Sequence, residues 1–223
     1  MTPRLLLTLS LLALPIAATA QCNLAENFDG GFYHPWVVTD PTFAFVENDA
    51  FKVAFQSSDS NEYHGAVLDP CVYTDLMVSV RMRDLESTVG KAVAFRNNGM
   101  FIGYNVNLRS SPWNDVVLGK GSFSPASILD QAYFPHSTEE WVDVQVEAVG
   151  AQIRVWVNGN MVIDYTDPNP ILSGWTFLGI NGGGGAGPAG FNALAEFDDF
   201  CVLGLGTAVP NEAVSVSALK ARF

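Results

Sequence analysis

The chain is 223 residues long, and its 23 Asp and Glu outnumber its 11 Lys and Arg to give a formal net charge of −12. With 48% hydrophobic and only 15% charged residues it can build a core, which excludes a disordered chain, and its acidity argues against nucleic acid as a partner, because a polyanion is held by clustered Lys and Arg. Its 20 Gly and 12 Pro, set among abundant Val, Phe, Trp and Tyr, argue against a helical bundle and suit short strands joined by tight turns.

The first element in chain order is an export signal. Arg4 gives a positive start, Leu5 to Ile16 an apolar run, and Ala18-Thr19-Ala20 a small-residue cleavage site, so residues 1–20 are expected to be removed. The mature chain would begin at Gln21 and be secreted, whether extracellular, at the cell surface or periplasmic. Losing Arg4 leaves 10 basic against 23 acidic residues, a net charge of −13. The apolar run is too short to span a bilayer, and no later stretch reaches the roughly 20 apolar residues of a spanning helix. Gln21 stands where a lipoprotein signal has a small residue before the Cys, which argues against lipidation of Cys22.

Strands are predicted over Phe51 to Gln56, Ala66 to Leu68, Leu76 to Arg83, Ala92 to Arg96, Tyr104 to Leu108 and Val116 to Gly119, each bounded by Asp, Asn, Gly, Ser or Pro. The alternation is clearest from Val142 to Ala148, where Val142, Val144, Val146 and Ala148 face one way and Asp143, Gln145 and Glu147 the other. Gln152 to Val157 follows, and Asn158-Gly159 makes a two-residue hairpin into Met161 to Tyr165, since this pair adopts the positive φ angles of a type I′ turn. Phe177 to Ile180 and Glu196 to Leu203 complete the set. The Gly-rich run Asn181 to Gly190 has neither a helix after it nor a Lys-Ser or Lys-Thr pair, so it reads as a loop between strands and not as a phosphate cradle. With no helical segment between the strands, the expected fold is all-β, two packed antiparallel sheets in one domain over residues 21–203, with a tail over 204–223.

Several of these segments resemble the concanavalin A-like jelly-roll superfamily: Phe28-Asp29-Gly30, Trp36, the strand from Asp75 to Arg83, Phe95-Arg96, Trp141 to Glu147, Ile153 to Gly159, and Phe197-Asp198-Asp199-Phe200. Within it the chain is similar to laminin G-like domains and to 3-keto-disaccharide hydrolase or family 16 glycoside hydrolase-like domains. That superfamily holds enzymes, sugar-binding modules and adhesion modules, so the resemblance implies a jelly-roll sandwich more directly than an activity. The tail, with Leu219 to Phe223 at its end, resembles C-terminal sorting segments of exported bacterial proteins.

An enzyme of family 16 would carry an E-x-D-x-E strand. The nearest segment is Asp143-Val144-Gln145-Val146-Glu147, with a shortened first side chain and an amide in the middle. At about 3.3 Å per residue its outer α-carbons lie roughly 13 Å apart. Retaining glycosidases hold their carboxyl groups within roughly 5.5 Å and inverting ones within roughly 9.5 Å. Asp143 and Glu147 are therefore weak catalytic candidates, and a noncatalytic module binding carbohydrate or a surface polymer is the preferred function. A glycoside-processing hydrolase and a structural or adhesive surface module are the alternatives.

A sugar's C–H face packs on an aromatic ring while its hydroxyls need directional partners. Trp113, at an expected hairpin tip, Tyr133 and Trp36 are the carbohydrate-binding candidates, whereas Trp141, Trp156 and Trp175 read as core, and His34, His64 and His136 as structural. The resemblance further implies a structural Ca²⁺ between the first and last strands, for which Asp29 with Gly30 and Asp198 with Asp199 offer hard oxygen ligands. The break in alternation at Asp198-Asp199 predicts a bulge there. Cys22, Cys71 and Cys201 lack metal or redox-motif spacing. If the terminal strands pair, Cys22 and Cys201 form the preferred disulfide, with Cys71 to Cys201 the alternative and three reduced thiols the remaining case.

Overall fold

From Leu76 to Asp84 every second side chain is buried and the ones between are half-buried on the opposite face. A pleated chain sends successive side chains to opposite sides, so such a segment becomes a strand with one face on a core. The computed structural model, which describes residues 24–32, 36–57, 63–85, 90–98, 102–121, 128–181 and 191–205, contains fifteen strands. They are β1 (Leu24–Glu26), β2 (Trp36–Val38), β3 (Ala44–Glu47), β4 (Ala50–Ser57), β5 (Tyr63–Tyr73), β6 (Leu76–Asp84), β7 (Gly90–Asn97), β8 (Tyr104–Arg109), β9 (Asp115–Lys120), β10 (Ile128–Tyr133), β11 (Val142–Val149), β12 (Gln152–Val157), β13 (Asn160–Thr166), β14 (Gly174–Asn181) and β15 (Phe191–Gly204).

The strands form two antiparallel sheets. One has the order β13-β12-β11-β6-β15-β4-β3, with β1 also pairing on β15, and the other has the order β10-β9-β8-β7-β14-β5-β2. Their inner faces share one core, in which Phe28, Phe51, Phe95, Phe197 and Phe200 are among the largest fully buried side chains. Each such burial contributes about 1.5–3 kcal/mol relative to exposure. The all-β jelly-roll sandwich expected from the sequence is the observed architecture.

Every predicted strand is present. Val142, Val144, Val146 and Ala148 are buried as the alternation requires, and Asn158 and Gly159 have φ angles of 48° and 76°, as the type I′ hairpin demands. Strand β15 starts five residues before the predicted Glu196, because its backbone ladder with β4 runs back to Phe191 opposite Ser57. The short strands β1, β2 and β3 have no counterpart among the predictions, and neither does β10, whose alternation is broken by a bulge between Ile128 and Asp130. The signal segment 1–20, the Gly-rich stretch 182–190 and the tail from 206 onward lie outside the described residues. Among the described residues no helix is long and apolar enough to cross a membrane.

The sandwich has two differently fastened ends. At one, Arg96 is fully buried on β7, and its guanidinium donates to the carbonyls of Thr74, Gly150, Ile171 and Ala148 and to Asp75 Oδ1. Beside it Tyr104 donates its hydroxyl to Asp167 Oδ2 at 2.5 Å and accepts from the Ile171 amide at 2.9 Å, while Lys120 Nζ reaches the same carboxylate at 2.6 Å. The opposite end carries the turn between β8 and β9, which holds Trp113.

Candidate functional site

Strand β8 reads Tyr104-Asn105-Val106-Asn107-Leu108-Arg109, and the two-residue period sorts it cleanly. Tyr104, Val106 and Leu108 enter the core, so Asn105, Asn107 and Arg109 stand on the outer face of the seven-stranded sheet. Register then lines up three rows across that face. The first joins Tyr133, Asp115, Arg109 and Gly90; the second joins Gln131, Val117, Asn107, Ala92, Gly179 and Gly65; the third joins Gly119, Asn105, Ala94, Phe177, Val67 and Val37.

The apolar half of the face is a second small cluster of Val37, Val67, Ala94, Trp175 and Phe177, separate from the main core. Glycines let its ring lie against the sheet. A Cβ on Gly179 would sit 2.6 Å from Phe177 Cε1, and one on Gly65 would sit 2.7 Å from Phe177 Cζ. The polar half is built similarly: a Cβ on Gly119 would meet Asn105 Oδ1 at 2.7 Å, and one on Gly90 would meet Asn107 Oδ1 at 3.0 Å. The two amides are coupled, since Asn107 Nδ2 donates to Asn105 Oδ1 at 2.6 Å. Asn107 is only 6% exposed, yet among the described residues its Oδ1 has no hydrogen-bond partner. Buried acceptors are almost always satisfied, so this one has a hydrogen bond to offer.

The first row leads to the aromatic candidates. Arg109 clamps Asp115 through Nε at 2.7 Å and Nη2 at 2.5 Å, and its guanidinium lies 5.6 Å from the centre of the Trp113 ring. Trp113 occupies the tip between β8 and β9, as expected, and is half-buried. The turn is closed by hydrogen bonds from the Trp113 and Asn114 amides to Ser110 O at 3.1 and 3.2 Å. Tyr133 lies opposite Asp115 in the ladder and is 75% exposed. The next residue, Phe134, ties the two segments together by donating its amide to Asn114 O at 2.8 Å. The fold therefore assembles Trp113, Arg109, Asp115 and Tyr133 at one corner of a sheet face that continues to Asn107.

The other candidates lie elsewhere. Trp36 packs among Phe28, Phe32, Phe51 and Phe200, and its indole donates to Glu26 Oε2 at 3.3 Å, so its half-buried ring is packed against the core. Asp143 and Glu147 stand on the outer face of the eight-stranded sheet, each beside a different cation: Asp143 is 3.7 Å from Arg81 Nε, and Glu147 accepts from Arg154 Nη1 at 2.7 Å. Trp156 shares that face because its neighbours Val155 and Val157 point inward, while Trp141 lies beneath the guanidiniums of Arg81 and Arg83 at 4.9 and 4.5 Å. Trp141 and Trp156, expected in the core, are thus half-buried surface residues, and Trp175 is buried in the outer-face cluster.

At the terminal strands the expected bulge is present. Asp199 has a φ of 47°, and the register between β15 and β6 shifts between Asp198 and Cys201. Burial, with Asp199 and Asp29 nearby, raises the Asp198 pKa above the ordinary carboxylate value against the pull of the Asp199 amide and Arg81. The carboxylates do converge, but Arg81 Nη1 already lies 2.9 Å from Asp199 Oδ2 and 3.9 Å from Asp198 Oδ2. Gly30 is in the turn after β1 with a φ of 81°. Among the described residues no group of three or more His, Cys, Asp or Glu side chains is disposed to hold a metal ion. Cys71 is a free thiol, and Cys201 is disulfide-bonded and lies opposite Ala25 of β1. Cys22 lies outside the described residues.

Two antiparallel sheets packed over one core define an all-β jelly-roll sandwich domain. More narrowly, the chain belongs to the 3-keto-alpha-glucoside-1,2-lyase-like domain family, whose model matches residues 25–192. No curated protein matches the sequence. Among solved structures the fold is similar to carbohydrate binding module CBM66 from Bacillus subtilis, with a TM-score of 0.62 and 16% identity over 76% of this chain and 96% of that one. It is similar also to the laminarinase catalytic domain of Thermotoga maritima, with a TM-score of 0.61 and 13% identity over 84% of this chain and 99% of that one. The catalytic domain of an endo-1,3-beta-glucanase from Thermotoga petrophila gives a TM-score of 0.59 and 14% identity over 82% of this chain and 96% of that one. At these identities the likeness is one of fold.

Proposed function

We propose that the protein is a secreted, noncatalytic carbohydrate-binding module whose ligand lies along the outer face of the seven-stranded sheet, from Asn107 to the corner of Trp113 and Tyr133. The observation that carries this reading is the corner at which the exposed Tyr133 ring and the half-buried Trp113 ring flank the Arg109–Asp115 pair, on the face that continues to Asn107. A sugar C–H face packs on the rings while its hydroxyls bond to the polar groups between them. Secretion is supported by the Arg4, Leu5 to Ile16 and Ala18-Thr19-Ala20 signature. We pair the disulfide-bonded Cys201 with Cys22, a bridge favoured by the free state of Cys71 and by the pairing of β1 on β15.

The family description favours a second reading, in which the same face processes an oxidised glucoside. A 1,2-elimination beside a 3-keto group needs a base for the C2 proton. Asp115, the carboxylate of the first row, has both oxygens engaged by Arg109, which suits a rigid support under Trp113 better than a base.

Calorimetry of the mature chain, Gln21 to Phe223, against ligands found on a glycan array tests the proposal. Trp113→Ala and Tyr133→Ala should each weaken binding about tenfold, the ratio that corresponds to about 1.4 kcal/mol. Asn107→Leu should weaken it further without loss of the fold. Turnover of a 3-keto-glucoside that disappears in these variants would make the domain an enzyme. The absence of any glycan ligand would favour an adhesive surface module.

A further inference from the structure

Beneath the Trp113 turn lies a buried group of polar side chains. Asp84, at the end of β6 in one sheet, and Lys91, on β7 in the other, are both fully buried, and Lys91 Nζ donates to Asp84 Oδ1 at 2.6 Å. Ser110 donates its hydroxyl to the second oxygen, Asp84 Oδ2. His136 completes the group, with Nε2 3.3 Å from Lys91 Nζ and Nδ1 3.2 Å from Phe134 O. An ammonium only donates, so the imidazole nitrogen facing it must accept, and the ring proton sits on Nδ1 toward the carbonyl. The arrangement fits a neutral imidazole.

Two of these residues lead directly into the proposed site. Ser110, held by Asp84, supplies the carbonyl that closes the Trp113 turn, and Phe134, held by His136, follows Tyr133 and bonds to Asn114. One network thus anchors both segments that carry the aromatic candidates.

We propose that the Asp84, Lys91, Ser110 and His136 network positions the Trp113 turn and the end of β10, and that protonation of His136 releases them, so that the module lets go of its glycan in acid. The proposal rests on the reading of this face as a glycan site. An imidazolium would set an N–H and a positive charge against the Lys91 ammonium, donor against donor, at a separation now bridged by a hydrogen bond. The charged groups facing His136 are Lys91 from β7, Asp84 from β6 and Glu140 from its own connection. Burial first, and Lys91 second, hold its pKa below the ordinary 6.5 against the Phe134 carbonyl, Asp84 and Glu140. The unfolded chain therefore takes up this proton more readily than the folded one. Stability is complete above about pH 6.5 and is lost as pH falls from there toward the folded value.

Proton NMR of the free mature protein tests the coupling without any ligand. The His136 ring resonances, assigned by their loss in His136→Gln, should titrate with a midpoint below about 6.5. The Trp113 indole N–H and Tyr133 ring resonances should move with the same midpoint. In His136→Gln that movement should vanish, and in Ser110→Ala Trp113 should cease to follow while His136 still titrates. Aromatic resonances that ignore the His136 midpoint in the wild-type protein overturn the proposal, whether or not either variant folds. Glycan binding that is equal at about pH 7 and about pH 5 overturns the switch and keeps the site. No binding at either pH overturns the site and the switch together.

Discussion

Arg96→Lys probes the joint between the two sheets at the end away from Trp113. The guanidinium donates through Nε to Thr74 O at 2.7 Å, through Nη1 to Gly150 O at 2.7 Å and Ile171 O at 3.1 Å, and through Nη2 to Ala148 O and Asp75 Oδ1, each at 3.1 Å. An ammonium has three donors on one atom in place of a planar fork of five, so at least two of these acceptors lose their partner. Each buried acceptor left unpaired costs about 1–3 kcal/mol. The Asp75 side chain is 37% exposed and turns to water, so the loss falls on the carbonyls. The residue also sits at a φ of 49°, but Lys and Arg meet that backbone strain equally and it cancels. Three donors then face four carbonyls, so at least one carbonyl is left unpaired and the destabilisation is about 1–3 kcal/mol, within the 5–15 kcal/mol that a domain has in total, so the variant stays folded. In urea titrations with slopes of about 1–3 kcal/mol/M the unfolding midpoint should fall by about 1 M at unchanged slope. A shift under about 0.3 M would show that the carbonyls find other partners and that Arg96 does not fasten the sheets as argued.

Two further outcomes follow from the charged groups. EDTA should leave the melting temperature unchanged, because Arg81 already pairs with Asp199 at 2.9 Å beside Asp198; a drop reversed by Ca²⁺ would instead establish the ion at these carboxylates. Burial works against ionisation of Asp167, but donors from Lys120, Tyr104 and the Asn169 amide outweigh it and hold its pKa below the ordinary 3.8. Its contribution is therefore present above about pH 4 and is lost as pH falls through the folded value, so Asp167→Asn should flatten the acid limb of stability against pH. An acid limb of unchanged steepness in that variant would mean that other carboxylates govern acid unfolding.

Much of the fold was legible because strands announce themselves by period. Val142 to Ala148, the Asn158-Gly159 turn and the segment from Leu76 to Arg83 each combine alternation with turn chemistry, and backbone sterics leave such segments few other conformations. The short strands β1, β2 and β3 were not legible, since three or four residues carry no period, and β10 was hidden by its bulge. The placement of Trp113 at a hairpin tip was also within reach, for a large aromatic after Ser-Pro between two strands has no neighbour of its own in the core.

The site shows the limit of reading along the chain. Asn105 and Asn107 alternate with the inward Tyr104, Val106 and Leu108, yet nothing local distinguishes them from solvated amides. Their importance comes from Gly90 and Gly119 across the ladder, whose missing side chains let the amides lie down and bury an oxygen that has no partner among the described residues. Likewise Asp84, Lys91, Ser110 and His136 lie in four separate segments and meet only because β6 and β7 belong to different sheets stacked face to face. Local sterics and periodicity act over a few residues and suffice to determine strands, turns and their inward faces; which polar groups converge depends on register between distant strands, and that is decided only when the two sheets pack.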